Sequence, residues 1–387
     1  MNLRNAWAQE RSSLIALTFF LIALAFPIGL SVTGESLGWM TEPALLLAFG
    51  VAAIAAAGQS LMAQSNLGSG IFLLTACIAG AWGPLAAIDR QFAVLGAEAP
   101  LGLHGPGVWI FVLGLGFLVW RALAVLSEAA GRRDSKGIVA LLVPGLFGAW
   151  LIYLWQVGVT GFGVPSVLLP SPGRIAAVFM ASTDTLQADF YQTFIKSVLS
   201  GFLFGCGSGF LVAILVDRVP FLQRGLLPLG NFVSALPIVG VAPIMVMWFG
   251  FDWQSKAAVV VIMTFFPMLV NTITGLHATQ AMERDLMRSY GASYLQTLVR
   301  VRLPNALPFI FNALKINSTL ALIGAIVAEF FGTPIVGMGF RISTEIGRMN
   351  VEMVWATIAV AAVSGSLFYG LLALAERATT FWHPSYR

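Results

Sequence analysis

Read for its hydrophobic and polar positions, the chain is a series of long apolar runs separated by short polar breaks. A helix needs roughly 20 mostly apolar residues to cross a bilayer. Runs of that order lie at 13–31, 43–63, 69–88, 108–127, 137–157, 195–216, 226–250, 256–276, 306–330 and 352–374. The pattern predicts an all-α integral membrane protein with about ten transmembrane helices. Pro27, Pro144, Pro237, Pro243 and Pro267 fall inside these runs, and membrane helices tolerate proline better than soluble ones. The break at 128–136 carries Glu128, Arg132, Arg133, Asp134 and Lys136. It separates four runs from six, so the expected organisation is a four-helix extension, 1–136, ahead of a six-helix core, 137–387.

Composition agrees with that pattern. Hydrophobic residues make up 58% of the 387 and charged residues 10%, where soluble domains carry about 25% charged residues. Mean hydropathy is +0.87, which excludes an ordinary soluble fold because so much apolar surface cannot all be hidden from water. With the N-terminus inside and the runs alternating, fourteen of the 21 Lys and Arg residues fall on the cytoplasmic side and six outside. That is the sense of the positive-inside rule. It places both termini and the 277–305 loop in the cytoplasm. The first run is long and lacks a small-residue cleavage site after it, unlike a secretory signal. Cys77 and Cys206 lie in apolar runs, and His104, His277 and His383 are scattered. No metal-ligand spacing is present, so no metal is expected.

The 277–305 loop is the most patterned polar stretch. Met282, Leu286 and Met287 recur near helical spacing, with Glu283, Arg284, Asp285 and Arg288 between them. A short amphipathic helix of this kind suits a groove on a partner, and equally an ordinary surface helix between spans. Gly291 is placed to end it, and Pro304 to open the next helix. Other polar positions lie at membrane depth. Glu329 is an acid well inside a predicted span, where ionisable groups are costly; it is placed to gate a path, to pair with Lys315 or Arg341, or to fix the 331–350 loop. Asn271, Thr272 and Thr274, and then Asn317, Ser318 and Thr319, form polar clusters that either bond helices together or meet a solute. Gly201, Gly205 and Gly209 stand four apart on one face and predict close helix packing. Pro237 and Pro243, with Gly240 between, predict either a broken helix or a kink.

Several landmarks occur in one order. Leu169-Pro170-Ser171-Pro172 is followed by Ser197-Val198-Leu199-Ser200-Gly201-Phe202, then by Pro237, Pro243 and Trp248-Phe249-Gly250. Phe266-Pro267, Asn271-Thr272 and Gly275 come next, and after them Asp285-Leu286-Met287, Gly291-Ala292 and Val301-Arg302-Leu303-Pro304. Ala328-Glu329 and Gly337-Met338-Gly339 complete the set. From about Val164 onward the chain thus resembles the binding-protein-dependent ABC importer permeases of the nitrate, sulfonate and taurine family.

The resemblance implies a type I ABC importer permease core whose cytoplasmic loop docks on a separate ATPase through Asp285, Leu286, Met287, Gly291, Ala292, Leu303 and Pro304. It implies a translocation path near Pro237, Asn271, Thr272, Asn317, Ser318 and Glu329. The implied partners are two ABC ATPase subunits, a periplasmic or lipid-anchored substrate-binding protein, a second copy of the chain and membrane lipid, with no nucleic acid. The implied location is the bacterial cytoplasmic (inner) membrane.

No P-loop occurs in this sequence, since only Lys196 of its four lysines precedes a Ser or Thr and it follows Ile195. ATP and Mg are therefore expected on the partner ATPase, with no catalytic residue and no cofactor in this chain. The family's Glu-Ala-Ala is Asp285-Leu286-Met287 here, keeping the acid and enlarging the two small residues. The tail Phe381-Trp382-His383-Pro384-Ser385 is similar to a vitamin-precursor subset that carries thiamine pyrimidines or riboflavin; it also suits an interfacial anchor. The alternative function is a secondary transporter not coupled to ATP, which would need intramembrane acids such as Glu329.

Overall fold

A computed structural model of the chain describes every residue except 1–2, 31–35, 63–66, 96–104, 133–137, 235–236, 333–334 and 383–387. Part of the polar break at 128–136 and most of the Trp-His-Pro tail therefore lie outside the described residues. The backbone forms two compact units, Met1–Arg174 and Ile175–Arg387. Among the described residues, eight helical stretches are long and apolar enough to cross a membrane: Pro43–Ser60, Gly68–Ala87, Pro106–Glu128, Val143–Gly161, Thr183–Arg218, Trp253–His277, Tyr294–Glu329 and Val351–Thr379. All eight coincide with predicted runs.

The first unit contains α1 (Leu3–Leu24), α2 (Pro43–Met62), α3 (Leu67–Leu95), α4 (Pro106–Arg132) and α5 (Ile138–Gly161). The first predicted run, 13–31, ends early, because Pro27 has no N–H to continue a helix. The chain turns there instead, and Gly29–Leu30 pairs with Ser36–Leu37 as a short antiparallel ladder. An aromatic cluster of Phe20, Trp39, Phe49 and Phe111 fills the centre of this unit. The Trp39 indole would be an unsatisfied donor in such a place, and it donates to the Ala23 carbonyl at 3.0 Å. α5 packs on α3 and α4 within this unit.

The second unit begins within α6 (Pro172–Ala181) and holds α7 (Thr183–Phe190), α8 (Ser200–Arg218), α9 (Pro220–Ser234), α10 (Ile238–Phe249), α11 (Trp253–His277), α12 (Ala281–Ser289), α13 (Tyr294–Thr297), α14 (Leu303–Glu329), α15 (Met338–Gly347) and α16 (Val351–Thr379). α11 is its axis, with α8 on one side and α14 on another. The small-residue face of α8 is what admits α11. A methyl group at Gly209 would stand 2.5 Å from the Phe265 carbonyl oxygen, and one at Gly201 2.8 Å from that of Ala257. Close backbone approach of this kind replaces a hydrophobic drive between helices in lipid.

Two long helices contain a wide turn. α7 runs into α8 through a π-helical segment, Tyr191–Leu199, and α13 runs into α14 through another, Leu298–Arg302. Pro304 was expected to open its helix. It does so, standing second in α14 where a missing N–H costs least, and the π turn just before it joins that helix to α13. At 36 residues each rod is about 54 Å long at 1.5 Å per residue, well beyond a hydrocarbon core of about 30 Å. The predicted run 226–250 is likewise two helices. Pro237 is extended (φ −68°, ψ 121°) and caps α10, whereas Pro243 stays inside it.

Candidate functional site

The polar loop folds as its pattern requires. Gln280 caps α12, and the Glu283 carboxylate accepts from the Gln280 N–H at 3.2 Å, closing a capping box. Gly291 ends the turn at φ +65°, with its N–H donating to the Arg288 carbonyl and that of Ala292 to Met287. A left-handed residue after a helix is strongly favoured to be glycine. None of the α12 residues is buried. Met282, Leu286 and Tyr290 are 79%, 56% and 81% exposed and stand four apart, so they form one apolar stripe facing away from the protein. Asp285 pairs with Arg288 at 3.6 Å on the flank, and the Asn305 amide donates to Glu283 at 2.9 Å, tying α12 to α14. Met287 and Ala292 are half-buried, as are Leu303 and Pro304.

Beneath this loop lies a buried carboxylate. Asp217, at the end of α8, has a side chain only 2% exposed. Arg302 donates to both of its oxygens at 2.7 Å, and the Tyr294 hydroxyl adds a third bond at 2.8 Å. His277 Nε2 lies 3.3 Å away. Arg302 also donates to the Leu276 carbonyl at the end of α11. The neighbouring Arg218 guanidinium stands over the Tyr294 ring, 5.5 Å from its centroid. A buried carboxylate persists only when such donors replace its water.

A second polar cluster occupies the far end of α14. Glu329 is 2% exposed. Its carboxylate accepts from the Thr193 hydroxyl at 2.7 Å and from the Gly339 N–H at 2.6 Å. Asp189 is fully buried; it accepts from the Gly337 N–H at 2.8 Å and from Arg341 Nε at 2.7 Å. Thr193 in turn accepts from the Met338 N–H at 2.7 Å. Gly337 sits at φ +142°, and a methyl there would come within 2.7 Å of the Glu329 carboxyl group. The buried ammonium of Lys256 donates to the Phe251 and Asp252 carbonyls. Just outside the span, Gln192 donates to Asp252 at 2.8 Å, and this bond holds the Asp252 carboxyl below the usual carboxylate range.

Between these ends, three spans meet at Asn317. Its amide donates to the Thr264 carbonyl of α11 at 2.8 Å and to Cys206 Sγ of α8 at 3.2 Å. Ser318 is buried and donates to the Lys315 carbonyl, and Thr272 is fully buried. Asn271 is half-buried and donates to the Pro267 carbonyl. Pro237 is exposed at the break before α10. Lys315, one expected partner of Glu329, pairs with Glu376 of α16 at 2.6 Å, and Arg341, the other, pairs with Asp189. Among the described residues no three His, Cys, Asp or Glu side chains are grouped to hold a metal ion.

Residues 201–381 match the family described as "Binding-protein-dependent transport system inner membrane component". The chain is 30% identical over 236 residues to the riboflavin transport system permease protein of Chloroflexus aurantiacus, covering 61% of this chain and 88% of that one. It is 31% identical over 245 residues to the formylaminopyrimidine transport permease protein of Halalkalibacterium halodurans, covering 62% and 96%. The chain belongs to this permease family.

The permease is therefore a multi-pass subunit of the ABC importer class, as the ordered landmarks implied. The taurine transport system permease protein of Escherichia coli is a further relative, 31% identical over 242 residues and covered to 87%. Within the permease, the loop helix and its glycine stop were legible in the sequence. Asp189, Thr193 and Asp217 were not singled out, since each lies just outside the predicted run 195–216 and finds its partners far along the chain.

Proposed function

We propose that this permease subunit moves a small organic solute into the cytoplasm by alternating access, driven by ATP hydrolysis on two cognate ATPase subunits. α12 is the coupling helix. Its exposed stripe of Met282, Leu286 and Tyr290, ended sharply by Gly291, is the observation that carries this reading. Among the described residues nothing covers this stripe, and it suits a groove on a partner, with Asp285 and Arg288 on the charged flank. The permease works as a pair of copies, with both termini and the 277–305 loop in the cytoplasm. A periplasmic or lipid-anchored binding protein delivers the solute from outside. Asp285, Leu286, Met287, Gly291 and Ala292 make or shape the contact with the ATPase, while Leu303 and Pro304 open the span that receives its motion. The path follows the break at Pro237 and the polar positions of α11 and α14, namely Asn271, Thr272, Asn317, Ser318 and Glu329.

The relatives named for riboflavin, formylaminopyrimidine and taurine transport support a small organic solute. Those relatives are covered almost whole by about three-fifths of this chain, which supports an accessory role for the N-terminal extension, 1–136, beside a core at 137–387. A proton- or cation-coupled transporter would need an available intramembrane acid, and both oxygens of Glu329 are engaged by Thr193 and Gly339. The test is a complex of permease, cognate ATPase and cognate binding protein in lipid nanodiscs. ATP hydrolysis that rises when the binding protein is added is expected. An ATPase that fails to associate, or hydrolysis indifferent to the binding protein, would contradict the proposal.

A further inference from the structure

Both ends of the 277–305 loop converge on one side chain. His277 at the end of α11, Tyr294 at the start of α13 and Arg302 in the π turn all reach Asp217, 60 to 85 positions earlier in the chain. Arg302 also grips the Leu276 carbonyl, so it closes the base of the loop while holding α8. Arg218 adds a second hold on Tyr294 through the ring face. α12 itself is tied to α14 by Asn305, which donates to Glu283. Three side chains of the loop thus meet α8 at one carboxylate that is almost fully buried, and α8 is locked to α11 by its glycine face.

We infer that Asp217 is the positioning residue that makes α8 follow the coupling loop, so that loop and span move as one rigid piece when the ATPases close. A buried, bidentate ion pair suits this task because its geometry is fixed and its separation is costly. The inference rests on the coupling assignment of α12.

The experiment places spin labels at Met282→Cys on α12 and Leu211→Cys on α8, both exposed positions, in full-length permease bound to its cognate ATPase in nanodiscs. Labelled copies are diluted with unlabelled ones so that each distance comes from one chain. Distances are read without nucleotide and with ATP trapped by vanadate. The unmodified background should give one narrow distance, the same in both states. Asp217→Asn should bind as much ATPase yet give a distance that shifts or broadens with nucleotide, and Tyr294→Phe, which removes only one hydroxyl, should do so to a smaller degree. If Asp217→Asn does not accumulate, Tyr294→Phe carries the test. An unchanged distance in the variants, or a nucleotide-dependent distance in the unmodified background, overturns the inference. ATPase binding that survives Leu286→Asp would instead overturn the coupling assignment, so the two failures are distinguishable.

Discussion

The Glu329 carboxylate accepts a hydrogen bond from the Gly339 N–H at 2.6 Å, across a turn that only glycine can make this tight. A side chain at Gly339 would collide with the Ile326 carbonyl oxygen, and one at Gly337 would meet the Glu329 carboxyl. The acid therefore fixes α15 against the end of α14, with Thr193 as its third point.

Gly339→Ala and Glu329→Gln, which keeps one accepting oxygen, should accordingly both disturb this end of the protein. A buried overpacked site costs about 1–3 kcal/mol, and loss of one hydrogen bond to a charged group about 1.5–3 kcal/mol. Thermal unfolding of the detergent-solubilised permease should show both losses, with Glu329→Ala the most severe of the three. A Glu329→Ala protein as stable as the parent would show that the carboxylate does not fix the turn.

Gly209→Leu should push α8 off α11. Already its Cβ would meet the Phe265 backbone and the Met268 side chain, so the span has to shift. Reduced abundance and a lower unfolding temperature are expected, whereas Gly207→Leu on the open face of the same helix should change little. Equal effects at both positions would remove the packing argument.

How much of this was legible in the sequence depends on range. The α12 helix announces itself locally, through the spacing of Met282, Leu286 and Met287 and through Gly291 at its end. The glycine face of α8 is a repeat of period four and needs no partner to be noticed. Pro237 signalled a break, though not whether Pro243 would share it; α10 keeps Pro243 because membrane helices can re-satisfy one lost bond. Pro304 marked the start of α14, whereas the π turn that joins that helix to α13 has no signature of its own. The partners of Glu329, Asp189 and Asp217 were out of reach. Each such polar group has many possible partners, and only the packed arrangement chooses among them.

The topology can be read by labelling single cysteines with a membrane-impermeant reagent added outside cells. Cys77 and Cys206 are buried and are replaced in the background. Asp285→Cys should stay unlabelled in intact cells and react in inverted vesicles, while Met349→Cys should react from outside. The reverse pattern would place the loop on the wrong side for an ATPase.

Deleting residues 1–127 removes an even number of predicted spans and retains Arg132, Arg133 and Lys136, so the remaining core should insert in the same orientation. It should still bind the cognate ATPase, with some loss of stability. A truncated chain that assembles at normal abundance but no longer supports binding-protein-stimulated ATP hydrolysis would place the extension within the transport machinery.

The central claim is that α12 seats on the ATPase, and the affinity of the cognate ATPase for the permease in nanodiscs tests it most directly. Leu286→Asp puts a charge in the middle of the exposed stripe, and Gly291→Arg puts a bulky side chain at φ +65°, where L-residues are strained by about 1–2 kcal/mol. Both variants should bind the ATPase at least about tenfold more weakly, a loss near 1.4 kcal/mol, while Asp184→Asn, far from this loop in the chain, should bind normally. Unchanged affinity in both Leu286→Asp and Gly291→Arg would contradict the account.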